Sequence, residues 1–350
     1  MTKPDCRPYL PPEWAEQAGV MLTWPHDRGD WGTHLADVEQ VFVDMATAIT
    51  RYETCLVVCR DEEHRRSVRS QLHHVPQDRL ILAIVESNDV WARDHGPLTV
   101  MCQDEPLLLN FRFNGWGGKY RADLDNAIVS TLYKQNFFGD ALIEDIDLVF
   151  EGGAIEVDGS GSFLATKHSV VTETRNPGKN QHEIEKLLAD RLGIERFLWL
   201  DHGALEGDDT DGHIDTLARF ADRDTILYCH CSDPGDSHYA ELNAMKAELQ
   251  DFTSAAGAPY KLVPLPLPAA KIDEDGHRLP ATYANFLIIN GAVLVPTYRD
   301  AMDEAALDVF RSVFPDKEIV AIDCLPLVHQ YGSLHCATMQ LPRALQLRKS

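Results

Sequence analysis

Leu-Ile-Ile-Asn-Gly-Ala-Val-Leu-Val, residues 287–295, reads as two short apolar strands joined by an Asn-Gly pair, a strong local signal for a β-hairpin. Ahead of it lie apolar residues at helical spacing over 237–251 and a strand-like run, Tyr-Lys-Leu-Val-Pro-Leu (260–265). Beyond it the pattern starts again, with helical spacing over 302–313 and then Glu-Ile-Val-Ala-Ile (318–322). Helix, strand and hairpin therefore form a unit. Helical patterns at 35–51, 122–138 and 180–192 precede Thr-Cys-Leu-Val-Val-Cys (54–59), Glu-Asp-Ile-Asp-Leu-Val-Phe (144–150) and Arg-Phe-Leu-Trp-Leu (196–200). Val-Asp-Gly-Ser-Gly-Ser-Phe (157–163) is a second hairpin candidate, and the first unit carries an extra helix and strand near 61–85. The unit is met five times, at a spacing of about 50–90 residues and with no low-complexity linker, which predicts a closed α/β repeat fold such as a propeller within one domain, 1–350.

Polar residues recur at one place in these units. Asp94 follows the strand of the first, Glu151 that of the second, and His213 with Asp215 that of the third. Asn285 follows the strand of the fourth and Cys336 that of the fifth. In a closed ring such positions converge on the axis, so residues remote in sequence can form one site. A thiol, an imidazole and three carboxylates suit covalent attack on a guanidinium, which stays cationic and offers forked N–H donors to carboxylates.

Each residue also has a plainer reading. A lone Cys is more often a small buried hydrophobe, and Cys55, Cys59, Cys102 and Cys324 read as packing within or beside apolar strands. Cys336 differs by following His335 and a Gly-Ser loop, and it is read as beginning a short strand. In Asp-Gly-His-Ile-Asp (211–215) an extended backbone would put His213 and Asp215 on one face; a metal site is the competing use of that pair. Cys229-His230-Cys231 also invites a metal, but strand alternation splits the ring from the thiols and no second ligand pair has zinc spacing. Asp94 is a turn residue or a surface partner of Arg93 on the plain reading; on the functional one Gly96-Pro97 is a rigid turn that holds its carboxylate in place. Trp91 and Trp116 are either core aromatics or a wall for a flat cation.

The chain has 350 residues, 44% hydrophobic and 25% charged, as in ordinary globular proteins. Its net charge of −23 excludes nucleic acid and acidic membrane surfaces as natural partners and suits a small cation or simple solubility. The N-terminus lacks the apolar core of a secretory signal, no run has membrane-span length, and eight cysteines are too sparse for a disulfide scaffold. A reduced cytoplasm is the expected location.

Trp-Ala-Arg-Asp-His-Gly-Pro (91–97), Phe-Glu-Gly-Gly-Ala (150–154), Thr-Asp-Gly-His-Ile-Asp (210–215) and Leu-His-Cys-Ala-Thr-Met-Gln-Leu-Pro (334–342) resemble the agmatine deiminase family, also called the Porphyromonas-type peptidylarginine deiminase family. The resemblance begins at Pro-Pro-Glu-Trp (11–14) and Leu-Thr-Trp-Pro-His (22–26) and runs nearly end to end. It implies the pentein fold, a five-bladed α/β propeller with pseudo-fivefold symmetry. It implies Cys336 as nucleophile, His213 as general acid and base, Asp94 and Asp215 as guanidinium clamps, Glu151 as a substrate or His213 contact, and Trp91 beside the substrate. The implied reaction converts agmatine to N-carbamoylputrescine and ammonia through a thiouronium on Cys336, without metal or organic cofactor, on the way to putrescine. A homodimer is implied as well. Arginine, peptidyl arginine or another alkylguanidine are alternative substrates, and a non-catalytic pentein-fold binding protein is the alternative outside enzymes. The loop ahead of the cysteine, Gln-Tyr-Gly-Ser-Leu (330–334), is less glycine-rich than the family's.

Overall fold

The computed structural model describes residues 6–349. Strand β1 (Gln17–Thr23) lies parallel to β2 (Thr54–Cys59), which lies parallel to β3 (Leu80–Ile84). Next, β4 (Leu98–Cys102) pairs antiparallel with β5 (Glu105–Arg112), and β5 pairs parallel with β6 (Leu142–Val149). The same order recurs in β7 (Glu156–Val157), β8 (Ser162–Thr166) and β9 (Arg196–Leu200), and in β10 (Ala218–Phe220), β11 (Thr225–Cys229) and β12 (Lys261–Leu265). A small separate hairpin, β13 (Lys271–Ile272) with β14 (Arg278–Leu279), precedes its recurrence in β15 (Leu287–Ile288), β16 (Ala292–Thr297) and β17 (Glu318–Asp323). Finally β18 (Thr338–Pro342) pairs antiparallel with β1, which gives the first sheet the plan of the others. Five sheets of one plan form the five-bladed α/β propeller of the pentein fold, closed by the chain's first and last strands.

Parallel neighbours need a crossover, and a helix supplies each one. These are α1 (Leu35–Thr50), α2 (Glu62–Gln71), α3 (Ile128–Lys134), α4 (Gln181–Leu192), α5 (Tyr239–Asp251) and α6 (Asp303–Val313). Helix α4 begins at a reciprocal capping box between Asn180 and Glu183, which satisfies two of its free backbone N–H groups. The helix expected over 122–138 is shorter than its apolar pattern. At its start the Asn88 side chain accepts from the backbone N–H groups of Leu124 (2.8 Å) and Asp125 (3.2 Å), and a 3-10 turn over Asp125–Ala127 precedes α3. At its end Asn136 has left-handed backbone (φ 64°).

Two further expectations change. The Asn290–Gly291 turn forms the expected hairpin, but neither residue has positive φ. Gly291 is required by crowding instead: a Cβ there would lie 2.0 Å from the Tyr52 ring. The Asn290 amide donates to the Gln17 carbonyl and accepts from its N–H, both at 2.9 Å, and so ties the fifth blade to β1. Cys102 is not a packing thiol; it forms a disulfide with Cys6, with Cα atoms 5.7 Å apart. The other described cysteines are free and buried. Among the described residues no helix is long and apolar enough to cross a membrane.

Candidate active site

The chain enters each new blade through one connection, and these five connections carry the polar residues picked out above. The β3–β4 segment brings Trp91 and Asp94, and β6–β7 brings Glu151. The β9–β10 segment brings His213 and Asp215, the segment before β15 brings Asn285, and β17–β18 brings His335 and Cys336.

Asp94 sits on a single helical turn, Ala92–His95. Arg93 points away from it, donating to Gln340 Oε1 at 2.6 Å and lying 3.5 Å from Glu13, so the supposed Asp94–Arg93 pair does not form. Asp94 Oδ1 accepts from the Gly153 N–H and Oδ2 from Trp116 Nε1, both at 2.9 Å. Burial raises its pKa to about 6, with the His213 charge pulling the other way.

His213 and Asp215 do not occupy an extended segment. Residues Ile214–Thr216 make a 3-10 turn, which follows left-handed Asp211 (φ 67°) and Gly212 (φ 82°). The turn still delivers both side chains to the same buried pit. His213 Nε2 lies 3.3 Å from Glu151 Oε2, and Nδ1 lies 3.6 Å from Asp94 Oδ1. Burial works to lower the imidazole pKa, but Asp94 and Glu151 outweigh it and lift it to about 9. Glu151 is fixed from behind by Arg175, whose Nε donates to its two oxygens at 3.0 and 2.7 Å.

Cys336 ends the connection two residues before β18 rather than beginning the strand. Its Sγ lies 3.2 Å from Asn285 Nδ2 and 3.7 Å from Asp215 Oδ2. Asn285 Oδ1 accepts from the backbone N–H groups of His335 (2.8 Å) and Cys336 (3.2 Å), which holds the thiol-bearing turn. Burial, then Asp215 and Asp94, push the thiol pKa well above its usual value. Asp215 behaves oppositely: burial would raise its pKa, but His335, with His213 and Arg219, holds it low.

These groups converge where Gly153 leaves room. A Cβ at Gly153 would stand 2.5 Å from His213 Nδ1, 2.9 Å from Asp94 Oδ1 and 3.2 Å from Asp215 Oδ2. Asp215 Oδ1 and His213 Nδ1 are buried without a hydrogen-bond partner among the described residues. An unpartnered buried carboxylate oxygen is costly, and Asp215 Oδ1 here faces a space suited to a donor-rich cation. A cavity of about 180 Å³ opens onto Cys336 and Asp94. Trp91, Trp116, Tyr120 and Tyr331 wall it, and Asp30, Asp89 and Asp209 add three more carboxylates. Trp116 holds its place from a left-handed backbone (φ 54°, ψ 53°).

All eight residues singled out from the sequence thus belong to this pit or its lining. Glu13, Arg175, Arg219 and the three outer aspartates were not foreseen. Glu13 stood in Pro-Pro-Glu-Trp without any local sign of a role, and Arg175 and Asp209 lie in loops whose chemistry depends on what they meet. Cys229-His230-Cys231 serves packing: the Cys229 thiol meets Thr282 Oγ1 at 2.6 Å, and Cys231 the Asp233 carbonyl at 3.6 Å.

Comparison with known proteins agrees with this architecture. Residues 9–342 match the family model of Porphyromonas-type peptidyl-arginine deiminase. Agmatine deiminase of Stutzerimonas stutzeri is 30% identical, with 95% of each chain covered. A Porphyromonas gingivalis structure provisionally named an arginine deiminase is 48% identical at TM-score 0.92, covering 97% of this chain and 100% of that one. C. jejuni agmatine deiminase, in a cysteine-to-serine form with substrate bound, is 33% identical at TM-score 0.91, with 99% of both chains covered. The chain, a hydrolase acting on carbon–nitrogen bonds, belongs to the Porphyromonas-type peptidyl-arginine deiminase family.

Proposed function

We propose that the protein is an agmatine deiminase, producing N-carbamoylputrescine and ammonia in a step towards putrescine. The observation that carries the substrate is the charge of the cavity. Asp30, Asp89 and Asp209 line it, and no Lys or Arg is among its lining residues. Lys119 stands behind the wall, donating to the Asp209 carbonyl and paired with Asp211 (2.8 Å), and Arg121 pairs with Asp123 (2.6 Å). Agmatine ends in an ammonium that such a wall attracts. Arginine adds a carboxylate, which would lose its water beside other carboxylates at a cost on the order of 1–3 kcal/mol. Arginine is the second reading, favoured by the name of the Porphyromonas relative.

In this reading the guanidinium lies between Asp94 and Asp215, flat against Trp91 and Trp116. Arrival of the cation lowers the thiol pKa, the thiol gives its proton to water at the cavity mouth, and Cys336 Sγ bonds to the guanidino carbon. Protonated His213, oriented by Glu151, gives its proton to the departing nitrogen, which leaves as ammonia. A thiouronium remains on Cys336. Neutral His213 then takes a proton from water, the hydroxide attacks the same carbon, and the C–S bond breaks as the added hydroxyl loses its proton to solvent, which releases the ureido product and the thiolate. Asn285 steadies the sulfur throughout. Every step uses side chains and water. The catalytic unit spans 1–350, and a homodimer is the assembly this reading carries.

Ammonia release from agmatine, arginine and a peptidyl arginine, each against a Cys336→Ala control, tests the reading. Agmatine is expected to lead arginine by at least about tenfold in kcat/KM, roughly 1.4 kcal/mol. An arginine preference would overturn the substrate. Loss-free activity in Cys336→Ala would overturn the mechanism, and no turnover of any guanidine would leave a binding protein.

A further inference from the structure

Asp215 is the one clamp carboxylate whose hold on the protein depends on a single imidazole. Among the described residues its side chain meets only His335 Nδ1, at 2.8 Å, and the Cys336 thiol, both through Oδ2. Its Oδ1 has no partner among them. The other ring nitrogen of His335, Nε2, lies 2.7 Å from Glu13 Oε2. Both ring nitrogens of His335 thus face carboxylate oxygens, which accept hydrogen bonds when ionised. Glu13 is anchored in turn: Oε1 accepts from the Ile288 N–H at 2.7 Å, and Oε2 lies 2.9 Å from Arg219 Nη2. Arg219 is itself pinned, stacked 4.6 Å over the Phe286 ring and donating to the Phe286 carbonyl at 2.6 Å.

This chain of contacts answers a physical difficulty. Asp94, Glu151 and Asp215 are crowded into one buried pit before any cation arrives, and like charges there favour proton uptake or rotation away. Asp94 has two directional donors, the Gly153 N–H and Trp116 Nε1, and Glu151 has Arg175. Asp215 has His335.

We propose that His335, set by Glu13, is a positioning residue that fixes Asp215 Oδ2 and thereby keeps Oδ1 turned towards the guanidinium. The proposal rests on the reading of Asp215 as a guanidinium clamp. His335 touches no reacting atom in this scheme; it acts through Asp215.

The ring offers a test that separates its two ends. The amide nitrogen of Asn falls near Nδ1 of the histidine it replaces, and that of Gln falls near Nε2. His335→Asn therefore keeps a donor for Asp215, whereas His335→Gln keeps one for Glu13. In the full chain, steady-state assays with the guanidine that wild type turns over fastest should show His335→Gln at least about 30-fold down in kcat/KM. Most of that loss should lie in KM. His335→Asn should stand at least about tenfold above His335→Gln, with melting temperatures of the two variants alike. Equal kinetics in the two variants, whether near wild type or equally poor while folded, would overturn the proposal, as would a better Gln than Asn. If either variant does not fold, Glu13→Gln decides: a KM raised at least threefold at little-changed kcat supports it, and unchanged kinetics overturn it. Asp215→Asn, measured alongside, separates the two readings. Full activity there removes the clamp itself, whereas an inactive Asp215→Asn beside a near-normal His335→Gln removes only the role of His335.

Discussion

The indole N–H of Trp116 reaches Asp94 Oδ2 at 2.9 Å from a backbone held at φ 54°, ψ 53°, a region that bulky side chains rarely occupy. Holding a residue there costs on the order of 1–3 kcal/mol, so the surrounding loop supports Trp116 for what its side chain does. It supplies a donor to a carboxylate that burial has already lifted to a pKa of about 6.

Trp116→Phe keeps the aromatic wall and removes that donor. A hydrogen bond to a charged group contributes about 1.5–3 kcal/mol, so kcat/KM for agmatine is expected to fall roughly 10- to 150-fold. The bond favours the ionised form, so its loss raises the Asp94 pKa further. The acid limb of the kcat/KM profile then moves to higher pH. A profile of unchanged position would show that Asp94 does not set that limb.

Gly153→Ala puts a methyl group 2.5 Å from His213 Nδ1, closer than side-chain carbons approach. The groups it meets are buried and held, so they can yield only by leaving their working positions. Activity is expected to drop at least about 100-fold while circular dichroism stays like wild type. Near-normal turnover would mean that the pit is wider than its geometry indicates.

His213 links stability to pH. Its folded pKa of about 9 lies above its ordinary 6.5, so its charged contacts stabilise the fold fully below pH 6.5 and are lost as pH rises through 9. The contribution is on the order of 3 kcal/mol. Urea unfolding of the substrate-free protein should show the advantage of wild type over His213→Gln shrinking between pH 6.5 and 9. Parallel curves for the two proteins would rule out this link.

The Cys336 thiol is held protonated by burial and by Asp215 and Asp94. A cationic amidine carrying a leaving group neutralises those carboxylates as it binds, whereas neutral iodoacetamide does not. At pH 8 a haloacetamidine is therefore expected to label Cys336 at least about 100-fold faster than iodoacetamide, as read by intact mass and peptide mapping. Comparable rates would mean that the thiolate exists without the cation.

Asp89 is the wall residue whose pKa is raised to about 6, by burial and then by Asp30 and Asp209. Asp89→Asn is expected to raise KM for agmatine about tenfold and leave butylguanidine, which lacks the ammonium, within about twofold. Equal effects on both compounds would place the ammonium elsewhere.

Much of this was legible in the sequence because the fold repeats. Local periodicity located α1, α4, α5 and α6 to within about two residues, and the five connections that follow the strands presented Asp94, Glu151, His213, Asn285 and Cys336 in turn. What escaped notice depends on distant partners. The α3 segment was shortened by Asn88, a residue outside its own pattern. Gly291 was read as a turn former, but the Tyr52 ring is what demands it. Glu13 meets His335 across 322 residues of sequence, and no local pattern encodes such a meeting.

Closure of the ring by β1 and β18 also sets an order of events during synthesis. Glu13 leaves the ribosome 322 residues before His335, an interval of roughly 15–65 s at ordinary elongation rates. Throughout it, the β1 edge that β18 will cover stays open, and an open strand edge is a template for pairing with another nascent chain. Cys336 is made only two residues ahead of the strand that seals the blade. A translation product cut short before residue 336 therefore lacks both this thiol and the seal, and its first blade stays open until β18 is in place.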